Sequence, residues 1–173
     1  YYYVEERGEW DQIVAPGGAA EALEEAKAAG RVRCIGLTSH QRRLAAEIAE
    51  TGRLDMLMIR YNAAHRWAEA EVFPTTTARQ LPVVTLTALR WGTLLSPVPA
   101  AEAEPAELPD AATCYRFALE QPAVTVVLMA PDGRDELQQN LAMFDDWRDL
   151  TRAERTRLEA HAARVRVHAP SFP

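Results

Sequence analysis

Gly30-Arg-Val-Arg-Cys-Ile-Gly-Leu-Thr-Ser-His40 is the stretch from which the fold can be read. Gly30 follows an Ala/Glu/Lys-rich segment, Ala19 to Ala29. There Ala22, Leu23 and Ala26 share one stripe, and Glu21, Glu24, Glu25 and Lys27 face water. That is an amphipathic helix, and the glycine is placed to end it in a left-handed cap. The β-branched and apolar run Val32 to Leu37 then reads as a buried strand of a parallel sheet. It stops at Thr38-Ser39-His40, small polar residues that can cap the next helix. They lie at the carboxyl end of the strand, where α/β proteins place their ligands.

The same unit recurs along the chain. Strands are expected to start near residues 1, 32, 55, 82 and 123, the first being Tyr1-Tyr-Tyr-Val4. Glu5-Glu6-Arg7-Gly8 opens a loop that runs through Pro16-Gly17-Gly18. Arg42 to Glu50 is a helix with Leu44, Ala45 and Ile48 at core-facing spacing and Gly52 as its stop signal, and a poorer helical segment from Ala68 to Gln80 is interrupted by Pro74. A long Ser/Pro/Ala/Glu loop spans Ser96 to Asp110. Ala111 to Glu120 is a helix with Cys114, Tyr115 and Leu119 inward, and Ala123 to Met129 is a near-continuous apolar strand. Pro131-Asp-Gly133 turns the chain into a helix carrying Leu137, Leu141 and Phe144. The last helix, Arg152 to Val167, buries Leu158, Ala162 and Val165 beneath a solvated face of alternating charge.

Strands alternating with helices demand a parallel sheet with right-handed crossovers. Two architectures fit: a five-stranded doubly wound sheet, or part of a (β/α)8 barrel, which needs eight units and typically ~250 residues. No strand end reads GxGxxG. The 173 residues, 48% hydrophobic, can bury the core of one domain. A net charge of −6 without a basic block gives no electrostatic footprint for nucleic acid or an anionic membrane. No apolar run approaches the ~20 residues of a membrane span and no signal peptide opens the chain. Cys34 in a strand and Cys114 in a helix have no cysteine near them, so they are expected to be buried, reduced thiols of a cytoplasmic protein, with neither metal site nor disulfide. His40 and His65 lack metal-ligand spacing.

Gly18 to His40 resembles the middle of an aldo-keto reductase, in which a helix ending in a glycine feeds a strand of the form x-I-G-V/L-S. The resemblance continues in register through Leu54-Asp-Met-Leu-Met-Ile-Arg-Tyr-Asn62, Leu81-Pro-Val-Val84, Trp91-Gly-Thr-Leu94 and Glu136-Leu-Gln-Gln-Asn140. It implies a partial (β/α)8 TIM barrel of about five parallel strands, one domain over residues 1–173. It also implies that Tyr1 to Val4 matches the family's fourth strand, so that the first three βα units have no counterpart. Those units carry the family's catalytic Asp, Tyr and Lys. By the same resemblance the cofactor is NADP or NAD, and the substrate is a small carbonyl or alcohol.

The family's histidine at the end of its fourth strand falls at Glu5 or Glu6. A carboxylic acid kept protonated there could donate a hydrogen bond to a carbonyl. The alternative is a charged, solvated loop. Thr38 and Ser39 align with the pair that binds the nicotinamide carboxamide, and helix capping is their alternative role. Met58 replaces the family's carboxamide-binding glutamine, and Leu86 its stacking aromatic. Arg134 is placed for a phosphate at a helix amino terminus, and Asn140 matches the adenine-contacting asparagine, while Asp132, Asp135 and Glu136 add negative charge nearby. Two functions follow: an NAD(P)-dependent oxidoreductase, inactive as this chain alone, or a reductase-like scaffold used as a binding module. Open parallel edges around an apolar inner face invite self-association.

Overall fold

The computed structural model describes residues 1–98 and 107–168. Eight helices, α1 (Arg7–Val14), α2 (Ala19–Ala28), α3 (Arg42–Glu50), α4 (Ala68–Glu71), α5 (Phe73–Ala78), α6 (Ala111–Leu119), α7 (Arg134–Ala142) and α8 (Arg152–His168), accompany four strands among the described residues. The strands are β1 (Gly36–Thr38), β2 (Met56–Arg60), β3 (Val83–Leu86) and β4 (Val124–Val127), in one sheet of order β1-β2-β3-β4. β1 and β2 run parallel with Leu37 opposite Leu57. The β2 and β3 partners rise together: the Leu57 N–H donates to the Pro82 carbonyl at 3.0 Å and the Tyr61 N–H to that of Leu86 at 3.4 Å. Spatial order thus equals chain order. A doubly wound sheet would reverse at a switch point, so the succession is that of a (β/α) barrel.

Four strands stand where five were expected. Tyr1 to Val4 is not a regular strand, although it lies along β1: the Thr38 N–H donates to the Tyr1 carbonyl at 2.9 Å and the Val4 N–H to that of Thr38 at 3.0 Å. Tyr3, at φ 59°, breaks the extended geometry between these bonds. β1 is also shorter than the Val32–Leu37 expected, and Cys34 falls before it, exposed and not buried. Of the long loop, residues 99–106 lie outside the described residues.

The chain divides into two compact units, Tyr1–Ile59 with Trp67–Val84, and Arg60–Arg66 with Thr85 onward. In the first, a helix stands where a loop was expected. α1 forms because the Glu9 carboxylate reaches back to accept the N–H groups of Glu5 (2.7 Å) and Glu6 (2.9 Å), which hold it below the ordinary carboxylate range. Trp10 anchors the helix, 3% exposed and edge-on to Tyr1. α2 ends as the sequence indicates, with Gly30 at φ 70° and the Arg31 N–H donating to the Ala26 carbonyl at 2.9 Å. Asp55 then ties α2 to the start of β1, its carboxylate taking Lys27 Nζ at 2.5 Å and the Ile35 N–H at 2.7 Å. Gly36 is required by packing: a Cβ there would sit 2.6 Å from Met56 Cγ. The poor helical segment splits at Val72 (φ −128°), with Pro74 in the first turn of α5, where its missing N–H costs nothing.

In the second unit Tyr61 stacks on Phe117 at 5.8 Å, and the Arg66 and Arg155 guanidinium groups each lie 5.4 Å from the Phe117 ring. Arg155 also pairs with Glu120, which accepts the Leu150 N–H. α8 opens on a capping box in which Glu154 takes the Thr151 N–H (2.8 Å) and Thr151 Oγ1 receives the Glu154 N–H (3.3 Å). Leu158, Ala162 and Val165 are buried as expected, as are Cys114 and Tyr115 on α6. No described helix is long and apolar enough to cross a membrane.

Candidate functional site

α7 inverts the usual burial pattern. Its one buried residue is Asn140, 4% exposed, whereas Leu137 (41%) and Leu141 (50%) look outward. Burying an amide instead of two leucines costs free energy unless the amide has something to bind. Asn140 lines a cavity of about 610 Å³ that opens at the carboxyl ends of β3 and β4.

One wall of this cavity is apolar, from Leu86 at the end of β3, Ala88 and Leu89 after it, and Leu128 and Met129 after β4. Glu136, Gln139 and Asn140 of α7 supply the polar groups. Tyr115 closes the floor, packed with Ala88 and Met143. Burial, with Cys114 and Glu136 nearby, pushes its phenol above the ordinary value, against a hydrogen bond from the Ala130 backbone. Leu86, a position where the family resemblance is broken, lines the cavity, as does Ala130. A small set of polar groups converging in an apolar concavity is the usual form of a small-molecule site.

The loop after β3 forms the rim and is strained. Thr87 (φ 61°), Arg90 (49°), Trp91 (53°) and Gly92 (81°) all lie in the left-handed region, which costs a non-glycine residue ~1–3 kcal/mol. Asn62, fully buried just after β2, holds the loop: its Nδ2 donates to the Thr87 carbonyl at 2.9 Å, and its Oδ1 accepts the Ala64 N–H at 3.0 Å. The Arg90 N–H donates to the same Thr87 carbonyl at 2.8 Å. Arg60, 7% exposed, lies over the Trp91 ring at 5.9 Å, a cation–π contact worth about 0.5–1 kcal/mol at an exposed ring. Neither Trp91 nor Asn62 was singled out from the sequence as a site residue. Left-handed φ values at Arg90 and Trp91 have no sequence signal, because neither residue type favours them.

The other sequence-predicted residues fall elsewhere. Glu5 borders a second, charged cavity of about 480 Å³ with His40, Gln41 and three arginines. Its Oε1 accepts the His40 N–H at 2.7 Å and its Oε2 the Gln41 amide at 3.2 Å. Ser39, 1% exposed, accepts the Gln41 N–H at 3.0 Å ahead of α3. Thr38 is half-buried at the end of β1. Arg134 opens α7 on its exposed side and is not part of the cavity wall. No cluster of His, Cys, Asp and Glu suited to a metal occurs among the described residues.

Residues 9–107 match the model of the aldo/keto reductase family. No curated protein matches the chain. Among solved structures, aldo-keto reductase AKR11C1 from Bacillus halodurans is similar in its holo form (TM-score 0.68, 22% identity, 84% of this chain and 55% of that one). Its apo form is similar to the same degree (TM-score 0.67, 22% identity, 82% and 55%). The chain therefore spans about half the length of those reductases, and at this identity the likeness is one of fold. The family match covers more than half of the 173 residues, and the chain belongs to the aldo/keto reductase family.

Proposed function

We propose that the chain is the cofactor-binding part of an NAD(P)-dependent oxidoreductase that moves hydride between a small carbonyl and its alcohol. The observation that carries this is Asn140: a buried amide that lines a mixed polar and apolar cavity at the strand carboxyl ends. When bound, the nicotinamide cofactor supplies the hydride. In this reading the chain's own residues bind and orient. The Asn140 and Gln139 amides engage the adenine edge, the Leu86 and Leu128 walls exclude water from the nucleotide, and Arg134 meets a phosphate. Thr38 and Ser39 serve the nicotinamide carboxamide, for which Ser39 would have to release the Gln41 N–H. Glu5 takes the histidine's place beside the substrate.

The family's Asp, Tyr and Lys have no counterpart by motif in residues 1–173, so the chain by itself lacks the proton donor and is expected not to turn over. The departures from the family at Met58, Leu86, Ala130 and Glu5 favour a second reading, a reductase-like scaffold without catalysis. Titrating the folded chain with NADPH and NADH, followed by nicotinamide fluorescence, tests the first. Saturable micromolar binding supports it, and no binding favours the scaffold. We also place the protein in the cytoplasm and assign it a tendency to self-associate. Val126 (43% exposed) lies on β4, at the sheet edge, and Leu128 (45%) just after it, and Leu137 and Leu141 of α7 are exposed as well. Sedimentation at increasing concentration measures this.

A further inference from the structure

We propose that α7 is the face through which two copies of this chain associate, the two helices packing antiparallel about a twofold axis. The proposal rests on the self-association reading given above and names its surface. From residue 134 to residue 144 only Asn140 and Met143 are buried. A helix of a soluble protein normally turns its apolar stripe toward the core. Here Leu137, Leu141 and Phe144, spaced i, i+4 and i+7, form one stripe that looks out to solvent. Trp147, itself 43% exposed, stacks on Phe144 with ring centres 5.9 Å apart and extends the patch. Large apolar side chains gathered on one outward face mark an interaction surface.

The charges beside the stripe say what covers it. Arg134 is the first residue of α7, and Asp145 follows its last turn, which the Phe144 and Asp145 N–H groups continue by donating to the Leu141 and Ala142 carbonyls at 3.0 and 3.2 Å. Arg134 and Asp145 are close to three helical turns apart, so both stand on the side of the stripe. Both are exposed, and among the described residues neither makes an ion pair. The helix macrodipole disfavours a cation at the first position and an anion beyond the last, so neither charge is placed to stabilise the helix itself. Turned end for end on a second copy, the stripe matches itself. With Leu137 against Leu141 of that copy, Arg134 comes opposite its Asp145, and the symmetry makes each contact twice. In the dimer Arg134 is given to Asp145 of the second copy instead of a phosphate. An anionic membrane does not fit the same face, because Asp135, Glu136, Asp145 and Asp146 stand around the stripe where a surface-binding helix carries lysine and arginine.

Four such side chains per copy make a small interface, under about 1,200 Å² in total, which places the dissociation constant at about 10–100 µM. Sedimentation equilibrium of the folded chain up to about 1 mM is expected to show that dimer. Leu141→Asp and Asp145→Arg each weaken it about tenfold or more while unfolding stays cooperative, since both side chains are exposed. Arg134→Asp combined with Asp145→Arg recovers the dimer to within about threefold, because the exchanged charges meet again and suit the macrodipole. A wild-type chain that stays monomeric overturns the interface and the self-association reading together. A dimer indifferent to Leu141→Asp overturns the interface alone and leaves self-association to another surface. If the double variant does not recover what Asp145→Arg loses, the antiparallel pairing is overturned.

Discussion

The Glu5 carboxylate accepts the backbone N–H of His40 at 2.7 Å, joining two points 35 positions apart in the sequence. With its second oxygen on the Gln41 amide, it secures the entry to α3, which has no side-chain cap of its own. Glu5→Ala is therefore expected to cost about 1–2 kcal/mol in urea unfolding, with Glu5→Gln costing less because an amide oxygen still accepts one bond. A change within about 0.5 kcal/mol for Glu5→Ala, the range of neutral surface sites, would mean that the contact contributes nothing.

Asp55 makes the stability of the first unit acid-sensitive. Lys27 first, and then the Ile35 N–H, hold its carboxyl below the ordinary range. A lowered folded-state value means that its contribution is present above the unfolded value, about 3.9, and is lost as pH falls through the folded one. The pair is partly exposed, so the effect is under about 1 kcal/mol. Asp55→Asn should flatten the pH dependence of the denaturation midpoint below about pH 4, a comparison read from urea curves between pH 2 and 7.

At Gly36 a methyl group would collide with Met56 Cγ. Gly36→Ala should destabilise by about 1–3 kcal/mol, and Met56→Ala in the same chain should recover most of that loss. Additive losses in the double variant would show that the clash lies with the backbone.

The two thiols should separate kinetically. Burial, with Asp110 nearby, pushes Cys114 up to about 12, and its side chain is 1% exposed; Cys34 is exposed. A thiol reagent at pH 8 should label Cys34 rapidly and Cys114 only upon unfolding. Two equally fast thiols would contradict the packing of α6.

The parts of the fold that could be read from the sequence are those set by side-chain period and chain punctuation. α3 occurs over the residues expected, β3 starts within one residue of the position expected, and Gly30 takes the left-handed φ its position required. α1 was hidden because Gly8 and the acidic run suggest a loop, while its start depends on Glu9 folding back onto Glu5 and Glu6. β1 begins only at Gly36 although Val32 starts the apolar run, since composition says nothing of where a partner strand begins. Asn140 was singled out through family resemblance, but its burial beside two outward leucines could not be read from the sequence. The place of Trp91 at the cavity rim escaped because it depends on left-handed backbone and on Arg60, 31 positions earlier.

Amide hydrogen exchange with and without saturating NADPH or NADH locates the cofactor directly. Protection is predicted in residues 86–95, after β3, and in residues 128–140, from the end of β4 through α7. Saturable binding with protection confined to other segments, or no change in exchange at any segment of the folded chain, would contradict the assignment of the cofactor to this cavity.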